Sequence, residues 1–140
     1  MQPSNDRRLD RQQLDAAITA ATDVREHAHA PYSRFLVGAA LMDNQGRLFV
    51  GCNVENASYG LTICAERNAM AHAVASGSRR IVAVVIVTDA AEPTPPCGAC
   101  RQVLKELNDD MVIISHTLQG KEASYLLSEL LPHAFTKSQL

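Results

Sequence analysis

Residues 81–107 read IVAVVIVTDAAEPTPPCGACRQVLKEL. The opening run, Ile81 to Val87, is continuous and apolar, the pattern of a strand covered on both faces. Glu92 to Pro96 is Pro-rich and reads as loop, and Gly98 to Leu107 reads as a helix. Met111 to Ser115 returns to strand chemistry. Upstream, Ala65 to Ala75 is rich in the helix formers Ala and Met, with Gly77 placed to cap its end. Phe35 to Met42 reads as a strand broken by Gly38, Asp43 to Gly46 as a turn, and Leu48 to Val54 as the returning strand of a hairpin. From Leu9 to about His29, apolar residues at Leu14, Ala17, Ile18, Ala21 and Val24 follow helical spacing, and Pro31 and Ser33 end the element. Downstream, Gln119-Gly120 reads as a turn and Glu122 to Leu131 as a last helix stopped by Pro132.

The resulting order, α-β-β-α-β-α-β-α, predicts an α/β fold: a three-layer α-β-α sandwich around a mixed sheet. Residues 1–8 read as a flexible polar tail and residues 9–140 as a single domain, with no internal repeat or linker.

Composition narrows the function. Basic residues number 13 and acidic ones 15, a net charge of -2, so the chain lacks the basic excess that polynucleotide binding draws on. No apolar run approaches the ~20 residues of a membrane span, and the polar N-terminus has no signal-peptide pattern. The expectation is a cytoplasmic protein whose 4 Cys stay reduced, where close Cys spacing points to metal or catalysis before disulfides.

Two short motifs carry the chemistry: Cys64-Ala65-Glu66 and Pro96-Cys97-Gly98-Ala99-Cys100. Each opens a predicted helix, where free N–H groups and positive partial charge stabilise the thiolates a metal needs. Three sulfurs from Cys64, Cys97 and Cys100 would leave the fourth position of a tetrahedral Zn²⁺ open, as catalytic sites do. Taken alone, the C-x-x-C could equally be a redox pair or half of a structural zinc site. Cys52 as a fourth ligand would close the site; its mid-strand position favours packing instead. An H-x-E followed by P-C-x-x-C is the signature of zinc nucleobase deaminases, with Cys standing here at the His position.

Over residues 10–136 the chain resembles the small, homotetrameric cytidine deaminases. The segments that carry the resemblance are PYSRFLVGAAL (31–41), GCNVENASYG (51–60), CAERNA (64–69), PCGACRQV (96–103) and ELLPHAF (129–135). The resemblance implies Zn²⁺ on Cys64, Cys97 and Cys100, and hydrolysis of cytidine and deoxycytidine to the uracil nucleoside plus ammonia in pyrimidine salvage. It implies that zinc-bound water attacks C4 with Glu66 as the proton shuttle. Asn53 and Glu55 would hold the ribose 3′-hydroxyl, Phe35 would flank the pyrimidine, and Ala65 would line the pocket. Ala57, Tyr59 and Phe135 would complete the pocket of a neighbouring subunit, and Arg67 would donate to the thiolates. The partner is then a small nucleoside, with no polymer or membrane. Competing readings are a deaminase of a modified nucleoside or nucleoside antibiotic, disfavoured by Asn53 and Glu55, and a non-enzymatic zinc module, disfavoured by Glu66. Thr88 to Pro95 (TDAAEPTP) matches no family segment and is expected at the pocket rim. Arg101 is expected to face solvent, and His72 to be packed or at an interface.

Overall fold

The structure is a computed structural model that describes residues 9–140, so the tail expected over residues 1–8 lies outside the described residues. Helix α1 (Arg11–Arg25) precedes the hairpin β1 (Val37–Asp43) and β2 (Leu48–Cys52). Then come α2 (Ala65–Ala75), β3 (Ile81–Thr88), α3 (Gly98–Lys105), β4 (Val112–Thr117), β5 (Glu122–Leu126) and the single turn α4 (Leu127–Leu130).

The apolar run 81–87 earns its continuity by lying at the centre of the sheet, whose order is β2-β1-β3-β4-β5. β3 pairs antiparallel with β1 and parallel with β4, while β2 and β5 are antiparallel partners of β1 and β4. Alternate β3 residues serve different layers. Val84 and Ile86 pack with Ala39, Leu41 and Ile113 against α2, α3 and α4. Ala83, Val85 and Val87 pack with Ala40, Val112 and Ile114 against Ala17 and Ala21 of α1. The sheet is therefore sandwiched between α1 on one face and the other helices on the second, the expected three-layer mixed α/β architecture.

Two glycines set how closely the helices approach. Gly38 does not break the first strand; it lies within β1, where an added Cβ would stand 1.9 Å from the Ala21 carbonyl oxygen of α1. On the opposite face, a Cβ at Gly51 would lie 2.3 Å from Ala69 N and 2.6 Å from Ala65 O of α2. Both contacts are backbone on backbone, so only glycine fits without moving a helix.

Three further expectations need correction. Residues 122–126 form a strand, and the last helix is confined to 127–130, so the order is α-β-β-α-β-α-β-β-α. The segment contains good helix formers, but β4 would otherwise expose an unpaired ladder beyond β3. Gly120, at φ 96, turns the chain back so that Val112↔Leu126 through His116↔Glu122 can pair. Secondly, α1 stops at Arg25, and the chain continues irregularly to a bridge between His29 and Val54. There the Glu55 N–H donates to His29 O at 2.8 Å and the His29 N–H to Asn53 O at 3.0 Å, fixing residues 26–36 against the end of β2. Finally, Phe35 lies before β1 and Asn53 and Val54 lie beyond β2, so all three stand at the sheet end rather than inside strands.

The β1–β2 turn is organised by Asp43, only 1 % exposed. Its carboxylate accepts from Gln45 N (3.0 Å), Arg47 N (2.9 Å), Arg47 Nε (2.8 Å) and Ser78 Oγ (3.0 Å), tying this turn to the α2–β3 connection. Burial alone would raise this carboxyl, but those hydrogen bonds outweigh it and hold it below the ordinary aspartate value. A depressed folded value stabilises the fold above the unfolded value, near 3.9, and the benefit is lost as pH falls through the lower folded value. Urea melts should thus show Asp43→Asn less stable than wild type at about pH 7, with the gap closing below about pH 4; a pH-independent gap would refute this account. Gly51→Ala should cost about 1–3 kcal/mol by overpacking and loosen metal retention by displacing α2; a variant with wild-type melting and metal retention would show the contact to be slack.

Candidate active site

β2 and β3 are both antiparallel to β1, so the chain leaves them at the same end of the sheet. α2 and α3 begin there, with Cys64 at the N-cap of α2 and Cys97 at the N-cap of α3. Both residues have extended backbone, and neither side chain spends itself on a capping hydrogen bond. Cys100, fully buried in the first turn of α3, completes a group whose three sulfurs lie within 4.8 Å of one another. Cys64 Sγ and Cys97 Sγ are 3.8 Å apart. Zn–S bonds of about 2.3 Å at tetrahedral angles demand S···S of about 3.8 Å, so the donor set and its spacing fit zinc. Cys52, at the end of β2, is not in this group.

Glu66 follows Cys64 by two residues on α2 and is 5 % exposed. It lines a cavity of about 240 Å³ together with Cys64, Cys97, Ala65, Phe35, Asn53 and Glu55. Arg67 lies behind the sulfurs: its Nη2 donates to Thr62 O at 3.2 Å and approaches Cys64 Sγ at 3.7 Å. Its buried Nε has no partner among the described residues.

Asn53 and Glu55 build the opposite wall by holding residues 32–37. The Asn53 amide accepts from Val37 N at 2.9 Å and donates to Phe35 O at 2.8 Å. Glu55 accepts from Tyr32 N (2.9 Å), Ser33 N (3.1 Å) and the Ser33 hydroxyl, which in turn accepts from Phe35 N at 3.0 Å. Arg34 adopts the left-handed φ of 62 that this tight turn requires. Together these bonds set the Phe35 ring at the mouth of the cavity.

Ala57, Tyr59 and Phe135 do not line this cavity. All three are exposed, Tyr59 by 74 % and Phe135 by 60 %. Tyr59 borders a neighbouring hollow of about 250 Å³ shared with Tyr32, Ser33, Glu55 and Thr62. Sequence reasoning missed Ser33 as the link between Glu55 and Phe35, a role its place in the PYS turn could have suggested. The rim expected from residues 88–95 is supplied by Thr94 and Pro95. Ser115 of β4 holds that rim by donating to Thr94 O at 2.7 Å. Arg101 is half-buried rather than solvent-facing, because its guanidinium is bound to two backbone carbonyls. His72 is exposed, edge-on to Phe49.

Residues 11–116 match the family model of the cytidine and deoxycytidylate deaminase zinc-binding region. The chain belongs to this family. It is 50% identical over 133 residues to a cytidine deaminase of Halalkalibacterium halodurans, covering 94% of this chain and 98% of the relative. The crystal structure of cytidine deaminase from Burkholderia pseudomallei superposes with a TM-score of 0.83 at 48% identity, covering 86% of this chain and 98% of that one. That of Mycobacterium tuberculosis cytidine deaminase gives 0.76 at 38% identity, covering 88% and 97%. The family's zinc-binding region thus contains the three-sulfur group and Glu66.

The electrostatics of the site suit a cation. The Cys64 thiol is pulled down to about 5, chiefly by the hydrogen bond from Cys100, with Arg67 adding to it. The same bond, with burial, holds Cys100 well above the thiol range. A divalent metal reverses that, because a coordinated thiol gives up its proton outright. Burial pushes the Glu66 carboxyl up to about 7, and negative charge on Cys64 reinforces this while Arg67 offsets part of it. A carboxyl so placed accepts and releases protons near neutral pH. Removing one sulfur should weaken zinc more than the roughly 10–100-fold typical of outer-shell changes. Chelator competition on Cys97→Ser measures this; affinity equal to wild type would place the metal elsewhere.

Proposed function

We propose that this chain, acting through residues 9–140 as one catalytic domain, hydrolytically deaminates cytidine and deoxycytidine to the uracil nucleoside and ammonia. The observation that carries this is Glu66, buried in the cavity wall beside the three-sulfur group. Cys64, Cys97 and Cys100 would hold Zn²⁺, whose Lewis acidity lowers the pKa of water to about 7. Glu66 takes one proton of the attacking water and passes it to N3 of the ring, then takes the second from the new C4 hydroxyl as it becomes the carbonyl and passes it to the amino group, which leaves as ammonia when the C4–N bond breaks. One buried carboxylate can do both because it stands beside the three-sulfur group, and burial raises its proton affinity above that of a free glutamate. Arg67 and the N-termini of α2 and α3 offset the charge of the thiolates.

Phe35 flanks the pyrimidine, and Ala65 forms a small, close wall beside it. Asn53 and Glu55 hold the sugar with what their loop bonds leave over. A carboxylate has about four acceptor sites, of which the loop occupies three; an amide keeps one N–H and one lone pair. A ribose 3′-hydroxyl, both donor and acceptor, matches that remainder.

The working unit is a homotetramer with shared active sites. What supports this is the exposure of Val54, Tyr59, Leu61, Ile63 and Phe135, apolar side chains too large and too many for a solvated edge beside a pocket. Ala57, Tyr59 and Phe135 then complete a neighbour's pocket. The 4 free cysteines suit a reducing, cytoplasmic setting, and the products suit pyrimidine salvage. Among the described residues no helix is long and apolar enough to cross a membrane.

Zinc-loaded protein should release ammonia from cytidine, and Glu66→Gln should keep fold and zinc while losing at least about 10²–10⁴-fold in kcat. Turnover retained in Glu66→Gln would exclude it as the shuttle. Light scattering that found a fully active monomer would overturn the shared pocket.

A further inference from the structure

α3 does more than present two cysteines. Its Arg101 donates Nε to Pro96 O at 2.8 Å and Nη1 to Leu130 O at 3.1 Å. The next residue, Gln102, donates Nε2 to Phe135 O at 2.8 Å. Two consecutive side chains therefore grip the C-terminal segment at both ends of residues 130–135. A guanidinium is a rigid planar fork, so serving two carbonyls at once fixes them relative to each other. One of them, Pro96 O, belongs to the buried residue that feeds Cys97. The other, Leu130 O, lies at the end of the one-turn α4, where carbonyls lack helical partners.

The outcome of this grip is a Phe135 ring that stays 60 % exposed and outside the cavity of its own chain. Ordering an aromatic residue while leaving it wet gains little within one chain. The ring is placed for something beyond it.

We propose that Arg101 and Gln102 are positioning residues that latch the C-terminal segment to the metal-bearing helix, setting Phe135 for the pocket of a second copy of this chain. The helix that holds one subunit's metal then also holds the wall lent to the next. This rests on the shared-pocket reading above.

Gln102→Met keeps length and helix propensity and removes the donor. Amide exchange over 131–136 should rise and KM for cytidine should increase about 3- to 10-fold, the worth of one hydrogen bond. In this variant kcat, zinc content and the oligomer should match wild type, and Gln102→Lys, which restores a donor, should recover much of the KM. Arg101→Lys, able to reach only one carbonyl, should raise KM and also speed zinc loss to a chelator. Wild-type KM in both Gln102→Met and Arg101→Lys overturns the latch, whatever the exchange shows. So does an equal fall of kcat and zinc content in Gln102→Met, which would place its effect at the metal loop. Failure of the underlying function is separately visible: wild-type protein would then release no ammonia from cytidine.

Discussion

The backbone of α2 touches the backbone of β2 at Gly51, where a side chain would lie 2.3 Å from Ala69 N. That contact determines how deep Cys64, Ala65 and Glu66 stand at the sheet end, because all three occupy the N-terminal end of the helix it docks. The α1 layer is held from the other face by the matching contact of Gly38 with Ala21. With the sheet clamped between two such contacts, β3 can run unbroken through the core and deliver Cys97 beside Cys64. A rigid scaffold matters here, since sulfurs must keep bonding distance to one ion to within a few tenths of an ångström.

The site concentrates negative charge around two buried groups, Cys100 and Glu66. Zn²⁺ held by these three thiolates would leave a net charge of about −1, and Glu66 would add its own when ionised. Two helix N-termini contribute about half a charge each, and Arg67 brings a full one within 3.7 Å of Cys64. These are comparable in size, which explains how the fold tolerates the cluster. Three-thiolate zinc is a weaker Lewis acid than zinc on neutral ligands, so this positive surround also bears on reactivity.

On the substrate side, one polar frame serves two ends. Asn53 and Glu55 use most of their hydrogen-bonding capacity on the backbone of residues 32–37, and thereby fix Phe35. Both residues line the cavity. Under the proposed function, ribose recognition and base stacking would be coupled through Ser33 and the left-handed turn at Arg34.

What the sequence alone determined was local. The apolar run 81–87 declared a central strand, helical spacing placed α1, Ala- and Met-rich composition placed α2, and the Cys-Ala-Glu and Pro-Cys-Gly-Ala-Cys spacings pointed to zinc chemistry. Such signals survive because periodicity and ligand spacing live within a few residues of chain. Tertiary structure alone decided the rest. Residues 122–126 became a strand because β4 needed a partner for its open edge, and nothing inside that segment records the need. Gly38 became a docking point because α1 passes there, and Arg101 became a two-carbonyl clamp because Pro96 and Leu130 meet across the fold. Glu66 owes its raised proton affinity to burial, a property of what surrounds a side chain rather than of its place in the chain.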